Sequence, residues 1–231
     1  MISLEPARRN SSITSPRSKT QCKGADAVSG RVFVVGNGPL PRDLSDEVDS
    51  ADFVLRFNEP KASKGMSGTK TDMLMVNNSG KPMQRRLRDP GYFRSAIVQA
   101  AKEVVFPYHP HTIRTWLIQP TLLSRLRGRK SDWTLQALES LGQAGKEVRI
   151  MPPSFYEEAC AELGLTREQM REVFPSTGYL GLRHILQHFP APQYRVELCG
   201  FSWEGWKRHA WADERSWVEN KIANRLLFTI D

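Results

Sequence analysis

His209 is followed five residues later by Glu214, at the head of the closing helical pattern ADERSWVENKIANRLL. A neutral imidazole can take a proton from a hydroxyl near pH 7, and a neighbouring carboxylate can orient it and stabilise its charged form. A histidine packed at a helix start is the alternative reading of the same spacing. Upstream, Pro175, Ser176, Thr177 and Gly178 stand just ahead of Tyr179, Leu182, Leu186 and Phe189, which fall at helical spacing. A helix start of that composition offers hydroxyls and unpaired backbone N–H groups to an anion such as phosphate. Earlier still, the apolar run Val32 to Val35 breaks into Gly36-Asn37-Gly38-Pro39. A buried strand ending in glycines lets the backbone approach a phosphate or ribose closely, and such ligands sit at the carboxyl ends of parallel strands.

Other candidates carry less. His184 and His188 are four apart on a helical pattern, which is metal-ligand spacing, but no carboxylate or cysteine is grouped with them, so no metal site is expected. His109 and His111 flank Pro110 after a strand, where a loop can meet substrate or only solvent. Cys22, Cys160 and Cys199 lie far apart with no CxxC spacing, which suggests reduced thiols. Gly36 and Gly38 open a GxGxxG pattern, but Pro41 holds its third glycine position. The next strand ends in Arg56, Phe57 and Asn58 rather than in an acid for a ribose, against a NAD or FAD fingerprint. GxxxxGK[ST], HExxH and GxSxG are absent.

The elements that must position these residues alternate. Strand patterns at Val32–Val35, FVLRFN, MLMVNN, EVVFPY, EVRIMP and RVELCGF are separated by helical ones. The helices are expected at DLSDEVDSAD, Tyr92–Lys102, Thr121–Arg127, Trp133–Ala144, Ser154–Leu163 and Tyr179–Phe189. Thr166 with Gln169 adds a capping-box signature for one more. Strands alternating with helices predict an α/β fold: a single Rossmann-like domain over residues 29–231 with a mostly parallel, doubly wound sheet and helices on both faces. Residues 1–28, rich in Ser, Arg, Lys and Thr, read as a disordered basic tail.

The chain has 231 residues, enough for one such domain, and a formal charge of +8 from 33 Lys and Arg against 25 Asp and Glu. The excess lies in the tail (Arg8, Arg9, Arg17, Lys19, Lys23) and in the stretches Lys81–Arg94 and Arg114–Lys130. Nucleic acid, anionic lipid headgroups and an anionic small substrate are all compatible with it. No named nucleic-acid motif accompanies the charge, so nucleic acid is not expected as a partner. No apolar run is long enough to span a bilayer and no secretory signal is visible, so a cytoplasmic protein is expected.

Taken together, three segments resemble the motifs of the sialyltransferases, glycosyltransferase family 29, and the chain is most similar to short bacterial members. The large sialyl motif is matched by VFVVGNG, VDSADFVLRFN and GTKTD, the small motif by PSTGYLGLRHIL followed by CGF, and the very small motif by His209 and Glu214. The resemblance implies that Asn37, with Gly38 beside it, and Asn58 contact the cytidine monophosphate of a CMP-sugar donor. Ser176, Thr177 and Gly178 would bind the same nucleotide, and His209 would be the general base, with Glu214 as its support or a helix-start charge. It implies inverting transfer of an acidic sugar to an acceptor hydroxyl, with the CMP-sugar as substrate and neither metal nor further cofactor required. The disulfide of secretory members falls here at Val32 and Phe189. Their additional histidine- and aromatic-containing motif is reduced to GFSWEGWKR, where Trp203, Trp206, Lys207 or Arg208 would have to replace a phosphate contact.

Overall fold

The computed structural model describes residues 30–59 and 64–230. The expected tail and Cys22 lie outside the described residues. The chain opens with β1 (Gly30–Val35), α1 (Ser45–Asp49), β2 (Phe53–Phe57) and β3 (Met73–Met75), then runs through α2 (Gly80–Arg88), α3 (Pro90–Arg94) and α4 (Ala96–Ala100) to β4 (Glu103–Phe106). Next come α5 (Pro110–Thr115), α6 (Leu122–Leu126), α7 (Thr134–Gln143), β5 (Glu147–Ile150) and α8 (Pro153–Glu162). The last elements are α9 (Thr177–His188), β6 (Tyr194–Cys199), α10 (Trp211–Ala223) and β7 (Phe228–Thr229).

All strands join one seven-stranded sheet in the order β5-β4-β3-β2-β1-β6-β7, and every pairing is parallel. From β1 the chain steps outward to β5, then returns to place β6 on the other side of β1, with Val35 opposite Cys199. The order therefore reverses between β1 and β6, and the crevice at the carboxyl ends of those strands is where α/β sheets bind ligands.

Side-chain alternation builds a core on each face. Val32, Val34, Leu55, Phe57, Met73, Met75 and Val105 point one way, into a cluster with Tyr156 of α8 and Tyr179, Leu182 and Ile185 of α9. Leu74, Val76, Val104 and Phe106 point the other way, against Met83, Val98, Ala137 and Leu141 of the opposite helices. Phe33, Val35 and Val54 meet Leu44 and Val48 around α1 on that second side. Strands covered on both faces read as nearly continuous apolar runs, which is why they were legible without strict alternation. Val32 is buried and Phe189 packs against its cluster, so apolar packing occupies the two positions matched to the disulfide of secretory sialyltransferases. Cys160 and Cys199 are free and buried.

The loop between β2 and β3 is held from inside the fold. Arg56 is buried, donating from Nη1 to Ser67 Oγ (2.9 Å) and from Nε to the Lys70 carbonyl (2.9 Å). Asp49 accepts the Thr69 and Lys70 N–H groups (2.9 and 2.8 Å), and Asp72 accepts Val54 N–H (2.9 Å). The matched segments VDSADFVLRFN and GTKTD are thus tied to each other.

Some local expectations are corrected. The helix read at Tyr92–Lys102 is two short helices, because Ser95 is extended (ψ 142°) and caps the second by accepting Val98 N–H. The Thr166–Gln169 capping box forms reciprocally (2.8 and 3.3 Å) but leads only into a 3-10 turn at Gln169–Arg171. The short α2, α5 and β7 escaped the periodicity reading.

Candidate active site

The two strands at the switch point end in glycine turns that touch. Gly36 N–H donates to the Cys199 carbonyl (2.8 Å) and Gly38 N–H to the Gly200 carbonyl (2.7 Å). A Cβ on Gly36 would lie 2.2 Å from the Gly200 oxygen, and Gly200 itself has φ +69°, so this crossing requires glycine on both turns. Asn37, between the crossing points, donates from Nδ2 to the Phe57 carbonyl (3.1 Å) at the end of β2. Asn58 follows with φ 50°, and its Oδ1 accepts the Asn77 N–H (3.0 Å) at the end of β3. Asparagine tolerates that left-handed backbone because its short polar side chain bonds locally. Two strand-terminal asparagines thereby lace three strand ends together.

The start of α9 faces these turns. Ser176 is its N-cap, its Oγ accepting Tyr179 N–H (3.1 Å). Thr177 and Gly178 occupy the first helical positions, where backbone N–H groups have no acceptor within the helix. Glu214, in the first turn of α10, is fully buried beneath this cap. It accepts the Ser176 N–H and the Ser176 hydroxyl, each at 2.6 Å. Burial pushes the Glu214 carboxyl up to about 7, outweighing the two hydrogen bonds that favour its charged form.

His209 reaches the same place by another route. The Phe174 N–H donates to the Arg208 carbonyl (2.8 Å), a bridge pairs Phe174 with His209, and the His209 Nδ1 lies 3.0 Å from the Phe174 carbonyl. A carbonyl only accepts, so Nδ1 carries the proton and Nε2 keeps its lone pair. Trp206 and Trp211 meet the imidazole edge-on at 5.1 and 4.9 Å. Burial lowers the His209 pKa below the usual histidine value, the Phe174 bond opposing it, so the ring is neutral at pH 7.

Asn37, Gly38, Asn58, Ser176, Thr177, Gly178 and His209 line one cavity of about 310 Å³. Every expected site residue except Glu214 is on its wall, and Glu214 lies behind Ser176. The carboxylate spends both oxygens on that serine, so the imidazole takes its orientation from the Phe174 carbonyl rather than from the acid. The cavity also includes Gly200, Phe201, Ser202, Glu204 and Trp211, which the residue-by-residue reading left out. The signal for Phe201 was its place immediately beyond the last long strand. Phe201 packs on Phe57 (6.1 Å) and Trp203 (5.5 Å), and Trp203 is held at φ 53° on the rim. Of the residues considered as phosphate contacts, Trp203 is on the wall, whereas Trp206, Lys207 and Arg208 are not among the lining residues.

The remaining histidines stand elsewhere. His109 caps α5, its Nδ1 accepting His111 N–H (3.1 Å). His184 is buried in α9 against Phe155, its pKa brought down to about 4 by burial, while His188 Nδ1 bonds the His184 carbonyl (2.8 Å).

A parallel, doubly wound sheet with helices on both faces and a crevice at its switch point defines a Rossmann-like α/β fold. Residues 11–188 match glycosyltransferase family 29 (sialyltransferase), and the chain belongs to that family. It is 29% identical over 199 residues to a urease operon 23 kDa accessory protein of Rhizobium meliloti (strain 1021), covering 83% of this chain and 88% of that one. Its fold is similar to that of a mammalian sialyltransferase in complex with Gal-beta-1-3GalNAc-ortho-nitrophenol. The TM-score is 0.52 at 21% identity, over 87% of this chain and 69% of the other. An alpha-2,3-sialyltransferase from Campylobacter jejuni gives a TM-score of 0.53 at 12% identity, over 87% and 75%. Among the described residues, no helix is long and apolar enough to cross a membrane.

Proposed function

We propose that this protein is an inverting glycosyltransferase that moves sialic acid or a related acidic sugar from a CMP-sugar donor to an acceptor hydroxyl, with His209 as general base. The observation that carries the reading is the 3.0 Å contact of His209 Nδ1 with the Phe174 carbonyl in a residue that lines the cavity: a carbonyl only accepts, so the proton belongs on Nδ1 and Nε2 is left to act as base. The acceptor oxygen attacks the anomeric carbon while its proton passes to Nε2. The bond from that carbon to the phosphate oxygen breaks, and cytidine monophosphate leaves. Asn37, Gly38 and Asn58 would hold the nucleotide on one wall, and the Ser176–Gly178 turn would receive its phosphate on the other. Glu214 acts as a positioning residue through Ser176. The reaction as written asks for no metal and no further cofactor.

His209→Ala should lower kcat about 10²- to 10⁴-fold, the contribution typical of a lost general base, with cytidine monophosphate affinity little changed. Steady-state kinetics with calorimetric titration checks both quantities. Full turnover in the variant would remove His209 from the mechanism.

A second reading keeps the pocket without the chemistry, as an accessory or regulatory protein. It is favoured by the charges of the cavity wall, where Glu204 is present and no lysine or arginine is among the lining residues. The name of the Rhizobium meliloti relative points the same way. Cytidine nucleotide binding without turnover across a broad acceptor panel would select it. Strong preference for uridine or adenosine nucleotides would overturn both readings.

A further inference from the structure

The two basic stretches of the sequence come together away from the cavity. Lys81, Arg85 and Arg88 share one face of α2, and Arg127 and Arg129 stand in the segment after α6. Between them runs a groove of about 710 Å³, whose one lining acid is Asp89. The Asp89 carboxylate is engaged as the cap of α3, accepting Gly91 N–H at 2.8 Å. Immediately before Arg127, α6 exposes Leu122 (75%), Leu123 (61%) and Leu126 (78%), and buries none of its residues. Leu122 and Leu126 are one turn apart and Leu123 stands beside them, so the leucines form a stripe on one side of the helix. Ile118, in the segment before α6, is half exposed as well.

Each half of this surface narrows what can cover it. Clustered cations alone would suit any polyanion, but a nucleic acid gains little from leucines, and no aromatic side chain lines the groove to stack on a base. Exposed leucines flanked by arginines and lysines instead match an interfacial element, with apolar side chains entering the headgroup boundary and cations holding phosphates. We propose that this face docks on an anionic phospholipid bilayer: Leu122, Leu123 and Leu126 insert at the acyl boundary, and Lys81, Arg88, Arg127 and Arg129 hold the lipid phosphates.

The groove is joined to the carboxyl ends of the strands through backbone bonds and one ion pair. Gly80 N–H donates to the Ser131 carbonyl (2.8 Å) and Trp133 N–H to the Asn78 carbonyl (3.2 Å), which hold the segment after α6 against the carboxyl end of β3. Glu59, the residue after Asn58 of the cavity wall, pairs with Arg85 of the groove. The groove is thereby tied to the strand ends that carry the cavity wall. The inference rests on these surface residues alone and stands whether or not the cavity is catalytic.

Flotation of the full chain with vesicles tests it. The protein should float with mixed phosphatidylglycerol and phosphatidylcholine vesicles and not with phosphatidylcholine alone, more weakly at high salt. Arg127→Glu with Arg129→Glu should reduce partitioning by about tenfold or more. Leu122→Ser with Leu123→Ser and Leu126→Ser should reduce it comparably, with thermal melting unchanged in both variants because the altered side chains are exposed. If the leucine variant melts early, the arginine variant still decides the headgroup contact. Failure of the wild type to float on anionic vesicles overturns the proposal. So does undiminished flotation of both variants, which would move binding to other basic segments, or a loss confined to the arginine variant while the leucine variant floats normally and stays folded. RNA binding that the arginine variant loses, without vesicle binding, would make the groove a nucleic-acid surface instead.

Discussion

Glu214 and His209 are five residues apart in the chain, but their side chains serve different neighbours. The imidazole is set by the Phe174 carbonyl, and the carboxylate caps Ser176 from below. Because its folded pKa is raised from 4.5 to about 7, the folded state binds a proton there more tightly than the unfolded chain does. Its contribution to stability is thus full below about 4.5 and is lost as pH rises through about 7, with an amplitude on the order of a few kcal/mol. Glu214→Gln, which keeps an acceptor and a donor toward Ser176 and cannot ionise, should flatten that part of the stability–pH curve. Glu214→Ala should cost about 2–4 kcal/mol at acid pH, falling as pH rises through about 7, since it leaves the Ser176 N–H unpaired and opens a cavity. Urea unfolding of the three proteins at a series of pH values checks both statements. The residue types at 209 and 214 were legible in the sequence. Their partners were not, because Ser176 and Phe174 lie 38 and 35 positions upstream and no local pattern encodes such a pairing.

At the level of elements, the site is a meeting of two strand ends and one helix start. Short-range signals read these pieces well: the β-branched run before Gly36, and the serine ahead of a helical pattern at 176. Short-range signals missed α2 and α5 and joined α3 to α4, although the five-residue α1 and α6 were read, since packing rather than periodicity stabilises such short helices. The glycines of the first turn invited a dinucleotide reading, yet Gly36 and Gly38 serve the crossing with Gly200. Gly36→Ala must push its methyl into a backbone oxygen. The expected result is a loss of about 1–3 kcal/mol, the usual range for overpacking, together with cytidine monophosphate binding weakened by tenfold or more as the turns separate. Denaturant midpoints and nucleotide titration measure the two effects, and wild-type binding in this variant would detach the crossing from the site.

Across the whole molecule, stability is distributed unevenly. β1 and β2 lie inside the sheet with helices on both faces, whereas α6 buries nothing. Native-state hydrogen exchange should therefore show the amides of Phe33, Val34 and Leu55 opening only with global unfolding. Those of α6 should exchange through local opening, with protection lower by orders of magnitude. That gradient suits a surface element free to adjust to a partner without disturbing the cavity.

The sequence by itself determined the alternation of strands and helices, the α/β class and the helix cap at Ser176. These follow from side-chain size, periodicity and hydrogen bonding within a few positions along the chain. Only the tertiary structure decided that β6 returns beside β1, that Glu214 supports Ser176 while Phe174 orients His209, and that two separate basic stretches line one groove. Each of those outcomes pairs residues far apart in sequence. Such pairings are chosen by the order of strands in the sheet and by burial of the whole core, not by any local preference of the residues involved.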